Sequence, residues 1–259
     1  MSHFLDKIRS HVLARIEHMS VPEDVVVNPL DFCTIFQNKK SPVIISEVKF
    51  ASPSRGVIYH GDLNHVQIAQ QYMANGASGL SILTEPDYFK GDINFIRDIR
   101  AALPTSPILL KDFVLAPIQI QQARAYGANA VLLIVGFMEQ SLLVDLYAFA
   151  VSLGLTPLVE VHDEEELDRA FMLQPKIIGV NNRNLKTLSI DLETSRRLIQ
   201  RIPEDVFAVC ESGIDTATEI DAMMAIGFDG FLIGSHMMQT MQPGEALGDL
   251  LKKDLNNAS

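Results

Sequence analysis

The sequence predicts an α/β protein folded as a closed (β/α)8 barrel, the TIM-barrel class, with an N-terminal helical extension of about 40 residues. Three observations lead there. Eight short apolar, β-branched runs recur roughly 20 to 35 residues apart. The segments between them carry helix start and stop signals. No Gly-rich G-x-G-x-x-G turn follows an early run, as an open dinucleotide-binding sheet would require.

The elements follow in order. Before the first run, Phe4, Ile8, Val12 and Ile16 recur every four residues, a single apolar stripe on a helix. This extension is expected to pack on the barrel over one end. The strands are then "VIISEV" (43–48), "GLSIL" (79–83), "PILLK" (107–111), "AVLLIV" (130–135), "LTPLVE" (155–160), "KIIGVN" (176–181), "VFAVCE" (206–211) and "DGFLI" (229–233). Runs that are apolar on both faces and alternate with helices imply a parallel sheet covered by helices. Between strands, "APIQIQQARAYGA" sets Pro117 near a helix start and Gly127 at its end. "HDEEELDRAF" offers Asp163 as an N-cap with Glu166 three residues on, a capping box. "DTATEIDAMMAIGFDG" spaces Ile220, Met223, Met224 and Gly227 helically before the last strand. No linker or low-complexity tract intervenes, so residues 1–259 are expected to form one domain, with 1–40 the extension and 41–259 the barrel.

Composition narrows the partners. Of 259 residues, 47% are hydrophobic and 20% charged, enough for a sizeable core. A net charge of −11 argues against a broad nucleic-acid or anionic-membrane surface, while leaving room for a small anionic ligand met by a few converging lysines. The N-terminus lacks a signal-peptide apolar core, and the longest apolar run is far short of a membrane span. Two isolated cysteines, Cys33 and Cys210, make neither a disulfide framework nor a zinc pattern and suit a reducing compartment. A cytoplasmic protein is expected. Oligomeric state is left open, a monomer included.

Polar residues gather where such barrels build their sites, at the C-terminal ends of the strands. Strand one delivers Glu47 and Lys49 on one face with Val48 on the other, because side chains alternate along a strand. Strand two is followed by Thr84 and Glu85. Strand three ends in Lys111 and Asp112, strand five in Glu160, and strand six in Asn181. Strand seven ends in Glu211–Ser212–Gly213, and strand eight in Gly234–Ser235. A lone charge at a strand end is usually where the chain meets water. Two lysines around one mouth with three glutamates, Glu47, Glu160 and Glu211, instead read as a mutually compensated cluster. The small residues after strands seven and eight allow an anion to approach backbone N–H groups, where barrels commonly hold phosphate. Cys210 should face the helix layer. His162 and His236 have no partner histidines at metal-ligand spacing, so no metal site is expected, and His236 reads as a loop residue. Met223, Met224, Met237 and Met238 read as packing.

The motifs "EVKFASPSRG", "LTEPDYFKG", "PILLKDFV", "LVEVH", "IGVNNRNLKTL", "CESGI" and "FLIGS" run in order through residues 43–240. On these the chain resembles the indole-3-glycerol phosphate synthase family, barrel enzymes of tryptophan biosynthesis. The resemblance implies ring closure, decarboxylation and dehydration of 1-(2-carboxyphenylamino)-1-deoxyribulose 5-phosphate, without cofactor or metal. Lys111 matches the acid of ring closure. Glu160 matches the carboxylate given acid–base work, and Lys49 the lysine near the substrate carboxylate and leaving hydroxyl, with the late steps undivided between them. Glu47, Asn181 and Glu211 match residues that position substrate and tune the lysines. Ser52, Ser212, Gly213, Gly234 and Ser235 match the phosphate-binding set. Phe89, Phe113, Leu132 and Leu185 match the apolar wall around the anthranilate ring, with Arg183 supporting the strand-six loop.

There are departures from the family pattern. Phe50 stands where many relatives carry a second basic residue, off the Glu47–Lys49 face. The N-terminal helix is poorer in lysine than the family's, and a fused phosphoribosylanthranilate isomerase is not expected. Rival phosphate-binding barrels would want a cysteine near the first strand end or metal-binding histidines at strand ends. A barrel that had lost activity and only bound ligand should have lost its lysines or carboxylates. Neither pattern is present.

Overall fold

The computed structural model describes residues 3–22, 30–37 and 41–252. Eight parallel strands form the barrel: β1 (Val43–Val48), β2 (Gly79–Leu83), β3 (Ile108–Lys111), β4 (Ala130–Ile134), β5 (Thr156–Val161), β6 (Ile177–Asn181), β7 (Phe207–Glu211) and β8 (Gly230–Ile233). Each pairs with its neighbours in chain order, and β8 closes on β1. The strands are buried along nearly their whole length, as both-face apolar runs require.

The register decides which side chains turn inwards. Partners across a parallel pair share a face, and so do residues two apart on one strand. Glu47 lies opposite Ser81, and Leu83 opposite Lys111. Ile134 lies opposite Glu160, and Glu160 opposite Gly179. Asn181 and Leu232 both lie opposite Glu211. Followed round the ring, Glu47, Lys111, Glu160, Asn181 and Glu211 all belong to the interior face near the C-terminal strand ends. Val48 and Cys210 belong to the other face and pack under the helices. The Cys210 thiol lies 3.3 Å from both Ser195 Oγ and Asn182 Nδ2.

The helices are α1 (His3–Ile16), α2 (His65–Ala74), α3 (Asn94–Ala102), α4 (Pro117–Tyr126), α5 (Gln140–Ser152), α6 (Glu164–Phe171), α7 (Glu193–Leu198), α8 (Ala217–Ala225) and α9 (Pro243–Leu251). Pro117 opens α4, and Gly127, at φ +99°, closes it in the left-handed conformation. Thr216 and Glu219 cap α8 reciprocally. At α6 only half of the expected capping box forms. Asp163 accepts from the Glu166 amide, but the Glu166 carboxylate accepts from the His162 amide instead of that of Asp163. No described helix is long and apolar enough to cross a membrane.

Helix α1 precedes the barrel and buries Leu5, Ile8 and Val12, with Ile16 partly buried; the Phe4 side chain lies outside the described residues. The sequence places the segment before β1 over one end, whereas its described parts divide between both. Helix α1 meets the loops at the C-terminal strand ends: Arg15 reaches Asp112 at 2.6 Å, and Arg9 donates to the Phe137 carbonyl at 3.1 Å. The turn of 3-10 helix at Phe32–Phe36 closes the opposite end. There Phe36 stacks on Phe207 at the start of β7, and Asp31 accepts from Thr156 at the start of β5. Aromatic side chains seal the floor, and polar ones tie α1 to the mouth.

Candidate active site

A cleft opens at the C-terminal end of the barrel, and the inward polar residues line its base. At its centre the Lys111 ammonium sits between two carboxylates, 2.8 Å from Glu160 Oε2 and 2.6 Å from Glu211 Oε2. The two glutamate side chains are 2% exposed and the lysine 13%, so all three charges have left bulk water. Burying such charges is tolerable only as a paired set. Lys49, one residue beyond β1, keeps the face of Glu47 and ion-pairs with it at 2.5 Å.

The cluster sets its own protonation. Burial disfavours charge on Lys111, but Glu160, Glu211 and Glu47 outweigh burial and hold its pKa above that of an ordinary lysine. Burial also opposes ionisation of Glu160, yet Lys111 and His162 overcome it and keep that carboxyl well below the usual range. Glu211 goes the other way. Burial and the neighbouring Glu160 charge raise it despite Lys111, and Glu211 Oε1 has no hydrogen-bond partner among the described residues. One lysine thus stands between a carboxylate held ionised and one biased towards its acid form.

Two glycines make the approach possible. A Cβ at Gly179 would stand 2.1 Å from Glu211 Oε1, so β6 leaves room for that carboxylate to reach Lys111. A Cβ at Gly234 would fall 2.7 Å from the Glu47 side chain. Neither glycine turns the chain; each clears space for an acid on the next strand.

Above the charged base the walls are apolar. Phe89, Phe113, Leu132 and Leu185 face the cleft, and Phe113 lies 6.2 Å from Phe89 and 5.1 Å from Phe137 between ring centroids. Phe89 is held in place by Glu85, whose carboxylate accepts from the amides of Asp87, Tyr88 and Phe89 at the head of the short helix Pro86–Phe89. The β6 loop folds back through the Arg183–Ile190 bridge, with Asn181 Oδ1 accepting from the Arg183 amide and the Arg183 guanidinium donating to the Leu188 carbonyl.

At the far side of the cleft, Ser212 and Gly213 adopt consecutive left-handed conformations, φ +66° and +85°. Both residues line the cleft, so their backbone is open to a ligand there. For Ser212, a residue with a side chain, the conformation is strained, a cost that recurs at functional sites. Gly234 and Ser235 face the same region, at the start of the helix Ser235–Met238.

Ser52 does not line the cleft. It sits on the two-residue hairpin strand Ala51–Ser52, with its hydroxyl 3.5 Å from that of Ser54. Phe50 also lies outside, edge-on to Tyr59 and Phe95. Conversely, the cleft includes Arg55, Asp215 and His236, which sequence reasoning leaves aside. It also leaves aside His162, whose ring nitrogens lie 2.9 Å from Glu166 and 3.3 Å from Glu160. The signal is present in "LVEVH": residue 162 shares the face of residue 160 by the alternation that joins Lys49 to Glu47. Among the described residues no group of three or more His, Cys, Asp or Glu side chains is arranged to hold a metal ion.

The family model for indole-3-glycerol phosphate synthase matches residues 5–250. An indole-3-glycerol phosphate synthase from Albidiferax ferrireducens is 44% identical over 209 residues, covering 81% of this chain and 78% of the relative. Another, from Chromobacterium violaceum, is 46% identical over 207 residues, covering 80% and 77%. Among solved structures, a 3-hexulose-6-phosphate synthase superposes with a TM-score of 0.64 at 13% identity, covering 80% of this chain and 97% of that one, a likeness of fold alone. With a matching family model over nearly the whole chain and relatives of this identity, the chain belongs to the indole-3-glycerol phosphate synthase family.

Proposed function

We propose that the cleft converts 1-(2-carboxyphenylamino)-1-deoxyribulose 5-phosphate to indole-3-glycerol phosphate, carbon dioxide and water, with Lys111 as the acid of ring closure. The observation that carries this is the buried Lys111 ammonium held between Glu160 and Glu211 below an apolar wall. The anthranilate ring lies against Phe89, Phe113, Leu132 and Leu185. The phosphate rests at the turns of Ser212–Gly213 and Gly234–Ser235, with Ser52 joined to that set by the family motif alone. Arg183 and Arg55, close enough to repel one another, offer positive charge to the substrate's anionic groups at the rim.

As the ring carbon bearing the carboxylate attacks the ketone, negative charge develops on the ketone oxygen and Lys111 delivers its proton there. The surrounding carboxylates keep Lys111 protonated until charge develops on the ketone oxygen, and the alcohol formed is a weaker acid still, so the proton transfer can go to completion. The cyclised intermediate is an iminium, which accepts the electron pair released as carbon dioxide leaves. Loss of a ring proton and of the new hydroxyl then completes the indole. Glu160 accepts the proton, and Lys49, held by Glu47, assists the departing hydroxyl. Asn181 orders the β6 loop, and Glu211 returns Lys111 to its charged state. The chemistry calls on no metal or organic cofactor.

The same reading takes residues 1–259 as a single domain acting in the cytoplasm. Residues 1–40 form its extension, with α1 clamped over the mouth, and neither a nucleic acid nor a membrane is a partner. The test is to mix the protein and the carboxyphenylamino-deoxyribulose phosphate with a chelator present and follow indole fluorescence. A rise at enzyme-dependent rate is expected. Its absence with folded protein and bound substrate would overturn the proposal.

A further inference from the structure

His162 has no part in the steps above, yet its surroundings are unusually specific. Its Nδ1 lies 2.9 Å from Glu166 Oε2, and its Nε2 lies 3.3 Å from Glu160 Oε1, out of line for a full hydrogen bond. A neutral imidazole would turn a lone pair towards one of these carboxylates; the imidazolium offers each a proton. Glu166 is fastened there, because its Oε2 also accepts from the His162 amide at 2.9 Å. The turn after β4 closes behind it, where a Cβ on Gly136 would stand 2.1 Å from Glu166 Oε1. Residues 135–137 of that turn bring no titratable side chain.

Acidic and basic side chains alternate along one connected row: Glu166 on α6, His162 just past β5, Glu160 on β5, Lys111 on β3, Glu211 on β7. Without His162, a single lysine would serve two buried carboxylates, and they would compete for a proton. Half of the N-terminal cap of α6 is given up: the Glu166 carboxylate accepts from the amide of His162 and also meets its ring, instead of accepting from the Asp163 amide.

We infer that His162 is a positioning residue for the reaction, an imidazolium wedged between Glu166 and Glu160 that holds the Glu160 carboxylate ionised and turned towards Lys111. The inference rests on the acid–base work given to Glu160.

The test joins ring titration to kinetics. In the intact chain with isotope-labelled histidines, NMR should find both His162 ring nitrogens protonated up to about pH 9. His162→Gln should lower kcat by about tenfold or more, leave KM within about threefold, and move the acidic limb of the kcat profile up by about one pH unit. Glu166→Gln, which leaves the histidine in place, should shift the profile in the same direction by less. A ring that loses its proton below about pH 8, or variant profiles that superimpose on the wild type after scaling, would overturn this role while leaving the reaction intact. A wild-type chain without turnover would overturn the proposed function itself.

Discussion

Lys111→Met tests the centre of the cleft most directly. Methionine nearly preserves the volume and removes the charge, so the apolar wall and the phosphate turns should survive. Loss of the general acid alone costs about 10²–10⁴ in rate. Loss of the fixed positive charge adds to this, so kcat should fall by at least about 10³, with substrate affinity within about tenfold of wild type. Stability carries a second signature. Breaking a buried pair by removing one partner costs about 3–5 kcal/mol when the other charge stays uncompensated. Here Glu160 and Glu211, both 2% exposed, can relieve that cost by taking up a proton. Their folded pKa values in the variant then lie above the unfolded values, so stability is present below the unfolded carboxyl pKa and is lost as pH rises. The variant's deficit against wild type should grow from about 1 kcal/mol near pH 5 to about 3 kcal/mol near pH 8. Indole fluorescence reports turnover, and urea unfolding at several pH values reports the deficit. Near-normal turnover, or a deficit independent of pH, would refute the reasoning.

The remaining predictions concern how the cluster is held. Gly179→Ala places a methyl 2.1 Å from Glu211 Oε1 and should cost about 1–3 kcal/mol while loosening the Glu211–Lys111 contact; kcat should fall more than KM rises, and unchanged kinetics would mean that Glu211 is not needed at Lys111. Arg15→Met removes the ion pair to Asp112, which still keeps its bonds to Thr84 and the Phe113 amide. It should cost about 1–2 kcal/mol in urea unfolding and speed proteolysis within α1. Glu166 and Glu160 outweigh burial and raise His162 from 6.5 to about 10, so its contribution is full below pH 6.5 and is lost as pH rises through about 10. The stability gap between wild type and His162→Gln should therefore close between those values, and a gap constant with pH would exclude a charged histidine.

The barrel was legible in the sequence because its signals are local. Eight both-face apolar runs, Pro117 and Gly127 around α4, and the alternation that joins Glu47 to Lys49 each depend on residues a few positions apart. The polar strand ends pointed to the cleft for the same reason, since strand polarity alone says which residues emerge at the C-terminal end. The motif "LVEVH" shows where local signals stop. Alternation put His162 beside Glu160, but no residue-spacing rule says that Glu166 abandons its cap to meet it. The N-terminal segment is similar. Its stripe announced a helix, while the division of the described residues between mouth and floor depends on where Asp112 and Phe207 come to rest. Local pattern was enough for the fold class, the face of each strand and the chemistry available at the mouth. Which carboxylate meets which cation depends on contacts between strands far apart in the chain. Lys111 finds partners 49 and 100 residues away, and their separation is set by the barrel's closure and register.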